Sequence, residues 1–173
     1  RVSRGLGDVY KRQVRENQDK AQDYIQELSR VLRYTLQSNE SQSVSLREEM
    51  EFASAYIFLL KMRFENNLQF DIQIAKSFED YRLPPMAVQV LIENAVKHNE
   101  ISDRKPLTIH IVTNNEGYLS VSNDIQPKRT AASGTGIGLV NLAKRYRLLF
   151  KQDIQITEDK EFSVCIPLID EVQ

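Results

Sequence analysis

A single cysteine, Cys165, in 173 residues excludes a disulfide within the chain and argues against a thiolate-held metal. It lies in the alternating run FSVCIP, where the expectation is a small buried hydrophobe in a strand. Glycine and proline are scarce, six and five, and neither an internal repeat nor a low-complexity tract is present. No apolar run approaches the ~20 residues of a membrane span, and the N-terminus has no apolar segment of the signal-peptide kind. Charge of one sign is also missing. The formal net charge is −1, so nothing global calls for nucleic acid or an anionic membrane as partner. What remains is a globular composition, 41% apolar and 27% charged.

Residues 1–13, RVSRGLGDVYKRQ, hold two glycines in three positions and no sustained pattern. We read them as a foreign leader and leave them out of the fold expectation. From Val14 to Gln37 neither Gly nor Pro occurs, and Ala21, Tyr24, Ile25, Leu28, Val31, Leu32 and Leu36 recur at helical spacing. A second helix is predicted from Ser45 to Phe64, opened by the capping-box pair Ser45 and Glu48. Each helix has one apolar face, so the two are expected to pack on each other or on a second copy. The period then changes to two at Leu68, Phe70, Ile72 and Ile74, a half-buried strand. LPP at 83–85 introduces a third helix, with Pro85 near its first turn. LTIHIVTNN and GYLSVSND form a predicted hairpin turning at Asn114–Gly117. A polar loop over 125–133, a Gly-rich turn opening a fourth helix, and the strands DIQIT and EFSVCIP complete the chain. Mixed order with hairpins predicts an α+β fold, a mixed sheet covered on one face by helices.

The third helix, in the stretch LIENAVKHNE, carries the densest chemistry. At about 100° per residue, Glu93, Asn94, Lys97 and His98 fall within an arc of roughly 140°. Val88, Leu91, Ile92, Ala95 and Val96 take the opposite side. A plain solvated face would use Glu93 and Lys97 as an i, i+4 ion pair. The mixture fits another use: a carboxylate and an amide oxygen suit Mg²⁺, and Lys and His suit phosphate oxygens. Because Mg²⁺ keeps waters and takes phosphate oxygens, one protein amide is enough. GTGIGL at 134–139 adds glycines that let backbone approach phosphates at a helix start. It has neither the position of a dinucleotide fingerprint nor the ending of a P-loop. Lys128, Arg129, Lys144, Arg145 and Arg147 flank this turn, as a solvated face or as aids to phosphate binding.

ENAVKHN followed downstream by GTGIGLVNL resembles the paired nucleotide boxes of the GHKL ATPases. With LSRVLRYTLQ, VSLREEMEFASAYIFLLKMRF and LPPMAVQVLIENAVKHN in the same order, the chain most resembles sensor histidine kinases of the LytS-like subfamily, partners of LytTR-type response regulators. The likeness covers residues 18–168. It implies a two-layer α/β sandwich, with residues 14–65 as the end of a dimerisation and phosphoacceptor region and 66–173 as the ATP-binding catalytic domain. It implies ATP and Mg²⁺ as cofactors. Asn94 then matches the Mg²⁺-holding amide and Glu93 the acid that assists phosphoryl transfer. Lys97, His98 and Asn99 line the phosphates. Gly134, Thr135, Gly136, Ile137, Gly138, Leu139 and Asn141 fall in the second glycine box, and 125–133 in the ATP lid. VSNDIQP departs from the family pattern: Asn123 stands where many relatives have an adenine-binding Asp, and the following glycines are missing. The acceptor His-Phe motif is missing too. His98 lies in the nucleotide box and His110 in a strand, so the acceptor is expected upstream of residue 14. The resemblance further implies a homodimer in the full-length protein, and a membrane anchor only through upstream segments, with this region on the cytoplasmic side. The alternative is a non-catalytic nucleotide-sensing or dimerisation module of the same fold.

Overall fold

The computed structural model describes residues 2–38, 41–130 and 136–171. Helix α1 runs over Val2–Ser38. The expected start at residue 14 is therefore not a break in the backbone. Gly5 and Gly7 weaken a helix by only about 1 kcal/mol each, and no proline interrupts this one. Strand β1 (Val44–Ser45) leads into α2 (Leu46–Phe64). The predicted capping box forms: Glu48 N donates to Ser45 Oγ at 3.2 Å, and Ser45 N donates to Glu48 Oε2 at 2.9 Å.

Strand β2 (Leu68–Gln73) precedes β3 (Arg82–Leu83), which pairs antiparallel with β1. This two-stranded clasp was not legible in the sequence, because two-residue strands carry no period. Helix α3 spans Ala87–His98 with Met86 as its N-cap, so Pro85 stands next to the cap, near the first turn as expected. The hairpin of β4 (Leu107–Thr113) and β5 (Tyr118–Asp124) closes where predicted. Asn114 Oδ1 accepts from Glu116 N and Tyr118 N, and Gly117 takes the positive φ of 82°. Helix α4 (Ile137–Phe150), β6 (Gln155–Glu158) and β7 (Glu161–Pro167) follow.

The main sheet has the order β2-β4-β5-β7-β6, with β2 parallel to β4 and the other neighbours antiparallel. Alternation sorts its residues cleanly. Leu107, Ile109, Ile111, Leu119, Val121, Val164 and Ile166 point into one buried face, where Ile92, Leu142, Tyr146 and residues of α2 meet them. Leu46, Ala53, Ile57 and Leu60 of α2 thus share the core of the sheet. The other face is polar: Thr108, His110, Ser120, Ser122 and Ser163 are all at least partly exposed. Cys165 pairs with Ser120 on that face and is half-buried, so it is not the core hydrophobe its context predicts. The register turns Val164 and Ile166 inward and Cys165 outward. His110 Nδ1 lies 3.1 Å from Asp71 Oδ2 of the neighbouring strand, a structural cross-strand contact.

Candidate functional site

Helix α3 packs by Val88, Leu91, Ile92 and Ala95, the expected apolar side, which turns its polar residues outward. A cleft of about 800 Å³ opens between this helix, α4 and the β6–β7 edge. Asn94, His98 and Asn99 line one wall, and Gly136, Leu139, Val140, Ala143 and Lys144 the other. Ile156 and Phe162 from the sheet give it an apolar part. The volume suits a drug-sized or nucleotide-sized ligand. At its mouth a smaller cleft of about 250 Å³ brings Glu93, Asn94, Lys97 and His98 against Gly136, Ile137, Gly138 and Leu139. The two motifs singled out in the sequence are therefore neighbours in space.

Two features keep this place open for chemistry. Among the described residues, none of the side chains of Glu93, Asn94, Lys97 and His98 enters a hydrogen bond or ion pair, and the Glu93–Lys97 pair does not form. The start of α4 likewise lacks a side-chain cap: its N-cap is Gly136, at φ 63°, where a side chain would be strained. Among the described residues no side chain caps the first-turn amides, an arrangement that suits a ligand or water. At Gly138 an added Cβ would meet Val90 Cγ1 at 3.5 Å, an ordinary contact, so the packing of α3 on α4 does not by itself require glycine there.

Glu93 also lines a third cleft, about 710 Å³, with Tyr56, Arg63, Lys97, Lys128 and Arg129. Burial, with the Glu93 charge added, pushes the Tyr56 hydroxyl up to about 12 against the opposing pull of Arg63. Glu93 and Asn94 thus serve different spaces while sharing the small one.

Other expected residues are placed differently. Asn99 lines the cleft, but its amide is committed: Nδ2 donates to Ala95 O at 2.8 Å and Oδ1 accepts from Gln126 N at 2.7 Å. It caps α3 and ties down the start of the loop at 125–130. Asn123 is buried at 1% exposure, on the core side of β5, and its Nδ2 donates to Asp124 O at 2.8 Å. It is not on the cleft wall, because the strand period that makes position 123 legible also turns it inward. Asn141 is exposed on α4 and lines none of these clefts. Arg145 turns away from the cleft and donates from Nη2 to Pro85 O at 2.9 Å. Arg147 lines the cleft but is paired with Asp153 at 2.7 Å, leaving Lys144 as a cation on that wall with no ion pair. Gly134, Thr135 and residues 131–133 of the expected lid lie outside the described residues. Ile156 and Phe162 were missed. Their only signal is an apolar residue at a strand position, which does not tell cleft from core.

The model of the family described as Histidine kinase matches residues 6–68, a span that begins inside the stretch read as a leader. The chain is 33% identical over 162 residues to the Sensor protein LytS of Streptococcus mutans serotype c, covering 84% of this chain and 28% of that protein. The chain belongs to the histidine kinase family. It is also 29% identical over 154 residues to the Sensor histidine kinase/phosphatase LytS of Staphylococcus aureus strain Mu50, covering 79% and 26% respectively. It spans about a quarter of the length of these curated relatives. Among solved structures, the catalytic domain of histidine kinase ThkA shares its fold, with a TM-score of 0.51 at 18% identity over 74% of this chain and 99% of that one. So does the histidine kinase domain of the blue-light activated kinase from Erythrobacter litoralis EL346, with a TM-score of 0.50 at 14% identity over 90% and 83%. The chain accordingly has the α+β fold expected of it. Among its described residues no helix is long and apolar enough to cross a membrane, and no three His, Cys, Asp or Glu side chains gather as a metal site.

Proposed function

We propose that this chain binds Mg·ATP in the 800 Å³ cleft and presents the γ-phosphate for transfer to a histidine, for relay to an aspartate of a LytTR-type response regulator. The observation that carries this is the meeting of the open polar side of α3 with the uncapped start of α4 at an apolar-floored cleft. Ile156, Phe162, Leu139 and Val140 offer a slot for a planar base. The α4 amides and Lys97 and His98 receive the phosphates. Asn94 would hold Mg²⁺ through its unpartnered amide oxygen, the ion supplying charge neutralisation on the phosphate oxygens. Glu93, turned toward the neighbouring cleft, polarises or deprotonates the incoming imidazole.

Neither His98 nor His110 is read as the acceptor, one lining the nucleotide cleft and the other bonded on the outer sheet face. The parent protein would be dimeric and anchored in the cytoplasmic membrane by segments outside this sequence. Isothermal titration of Mg·ATP into wild type and Asn94→Ala tests the reading. Wild type should bind in the micromolar range. Asn94→Ala should lose at least about tenfold, mostly in the Mg²⁺-dependent part. No phosphate should appear on this chain, whereas a supplied acceptor-His segment should be labelled. Silent wild-type titrations would sink the reading.

A further inference from the structure

Glu49 of α2 is fully buried, yet its carboxylate contacts two other elements, α1 and the start of α3. Oε2 accepts from the Tyr34 hydroxyl of α1 at 2.7 Å and from Met86 N at 3.2 Å, while Oε1 accepts from Val88 N at 3.0 Å. Met86 and Val88 stand at the start of α3, which has no side-chain cap of its own and whose N-cap, Met86, holds a left-handed φ of 69°. That conformation is costly for a residue with a Cβ and persists only where its surroundings over-determine it. Here they do. Glu49 caps the helix from below, and Arg145 of α4 grips Pro85 O at 2.9 Å, with its charge facing the Glu49 carboxylate. Burial pushes the Glu49 carboxyl above its ordinary range, while the Tyr34 hydroxyl, the two amides and Arg145 pull it back. The phenol of Tyr34 reaches it from a ring stacked on Phe52, centroids 4.2 Å apart.

We propose that Glu49 is a positioning residue for the helix that carries Glu93 and Asn94, and that Tyr34 passes the placement of α1 to that helix through the same carboxylate. A cap borrowed from another helix differs from a local Ser or Asp cap. A local cap moves with its helix, whereas this one ties the first turn of α3 to α2 and, through one hydroxyl, to α1. Asn94 lies six residues beyond Val88, about 9 Å along a rigid rod. A tilt at the cap therefore displaces the amide at the cleft. The functional consequence rests on the Mg·ATP reading; the coupling itself does not.

The test uses the full chain labelled with ¹⁵N, in wild type, Tyr34→Phe, Glu49→Gln and a core control, Leu119→Val, which alters none of the Glu49 partners. Tyr34→Phe keeps the ring on Phe52 and both amide bonds to Glu49, removing only the hydroxyl. Both Tyr34→Phe and Glu49→Gln should shift the Asn94 side-chain amide resonance. Glu49→Gln should also speed exchange of the Val88 amide about tenfold. Leu119→Val should lower the melting temperature and leave both signals in place. An unmoved Asn94 resonance in both variants overturns the proposal, as does an equal shift in the control. Should Glu49→Gln fail to fold, Tyr34→Phe decides. In parallel, the ratio of ATP affinities with and without Mg²⁺ should shrink several-fold in Glu49→Gln and hold in the control. Wild type that fails to bind ATP refutes the functional reading, and the Asn94 resonance still decides the coupling.

Discussion

Glu93 and Asn94 are consecutive, and one 100° step in α3 turns them to different clefts, the carboxylate toward Tyr56 and the amide toward α4. Helical spacing alone put both on the polar side of α3, while the elements packed around that side decide which cleft each one lines. Asn123 and Arg145 show where such reading stops. Their residue types suit adenine and phosphate, but the packing of β5 and α4 turns them inward. Tyr146, also fully buried, donates to Pro167 O at 3.0 Å. Tyr146→Phe should cost about 1–2 kcal/mol in urea unfolding, since it strands a buried carbonyl. Tyr56 gives a pH signature. Its hydroxyl titrates near 10.0 when unfolded and at about 12 when folded, so the folded state holds a proton that the unfolded state releases. Its stabilising contribution is complete below pH 10 and is lost as pH rises toward 12, by at most about 3 kcal/mol. Guanidinium midpoints at pH 8, 10 and 11 should fall less steeply in Tyr56→Phe than in wild type.

Among the elements, α2 and the β4–β5 hairpin follow local chemistry most closely. The Ser45–Glu48 pair is a complete capping box, and Ser45→Ala should cost about 1 kcal/mol of stability, read by chemical denaturation. Local signals also placed β2, β6 and β7 to within a few residues, because a half-buried strand must alternate. They failed at α1, where two glycines in three positions look like a break but a helix without proline continues from Val2. They failed at β1 and β3, whose pairing joins residues far apart in the chain. The start of α3 is the most instructive case. Pro84 and Pro85 announce a helix, yet its cap comes from Glu49, a position that by sequence is one more acid in a charged helix start.

At the scale of the whole molecule, α1 stands out. Its last turns pack on α2 through Tyr34, while Ile25, Leu32 and Leu36 remain 63%, 56% and 72% exposed along one stripe. An apolar stripe of this length on a helix suits the dimer proposed above. The chain should therefore self-associate in sedimentation velocity at tens of micromolar, and Ile25→Asp with Leu32→Asp should shift it to monomer without lowering the melting temperature of the sheet core. A monomeric wild type would count against the homodimer. The sequence alone determined the secondary-structure periods, the capping box, the hairpin turn and the chemistry of the α3 polar side, since each depends on residues within a few positions of one another. Only the tertiary structure decided that the α3 face meets the α4 start, that Ile156 and Phe162 complete the cleft, and that Glu49 holds α3 in place. Those are contacts between elements brought together by burying one apolar face of a sheet, and no local pattern encodes which partner arrives.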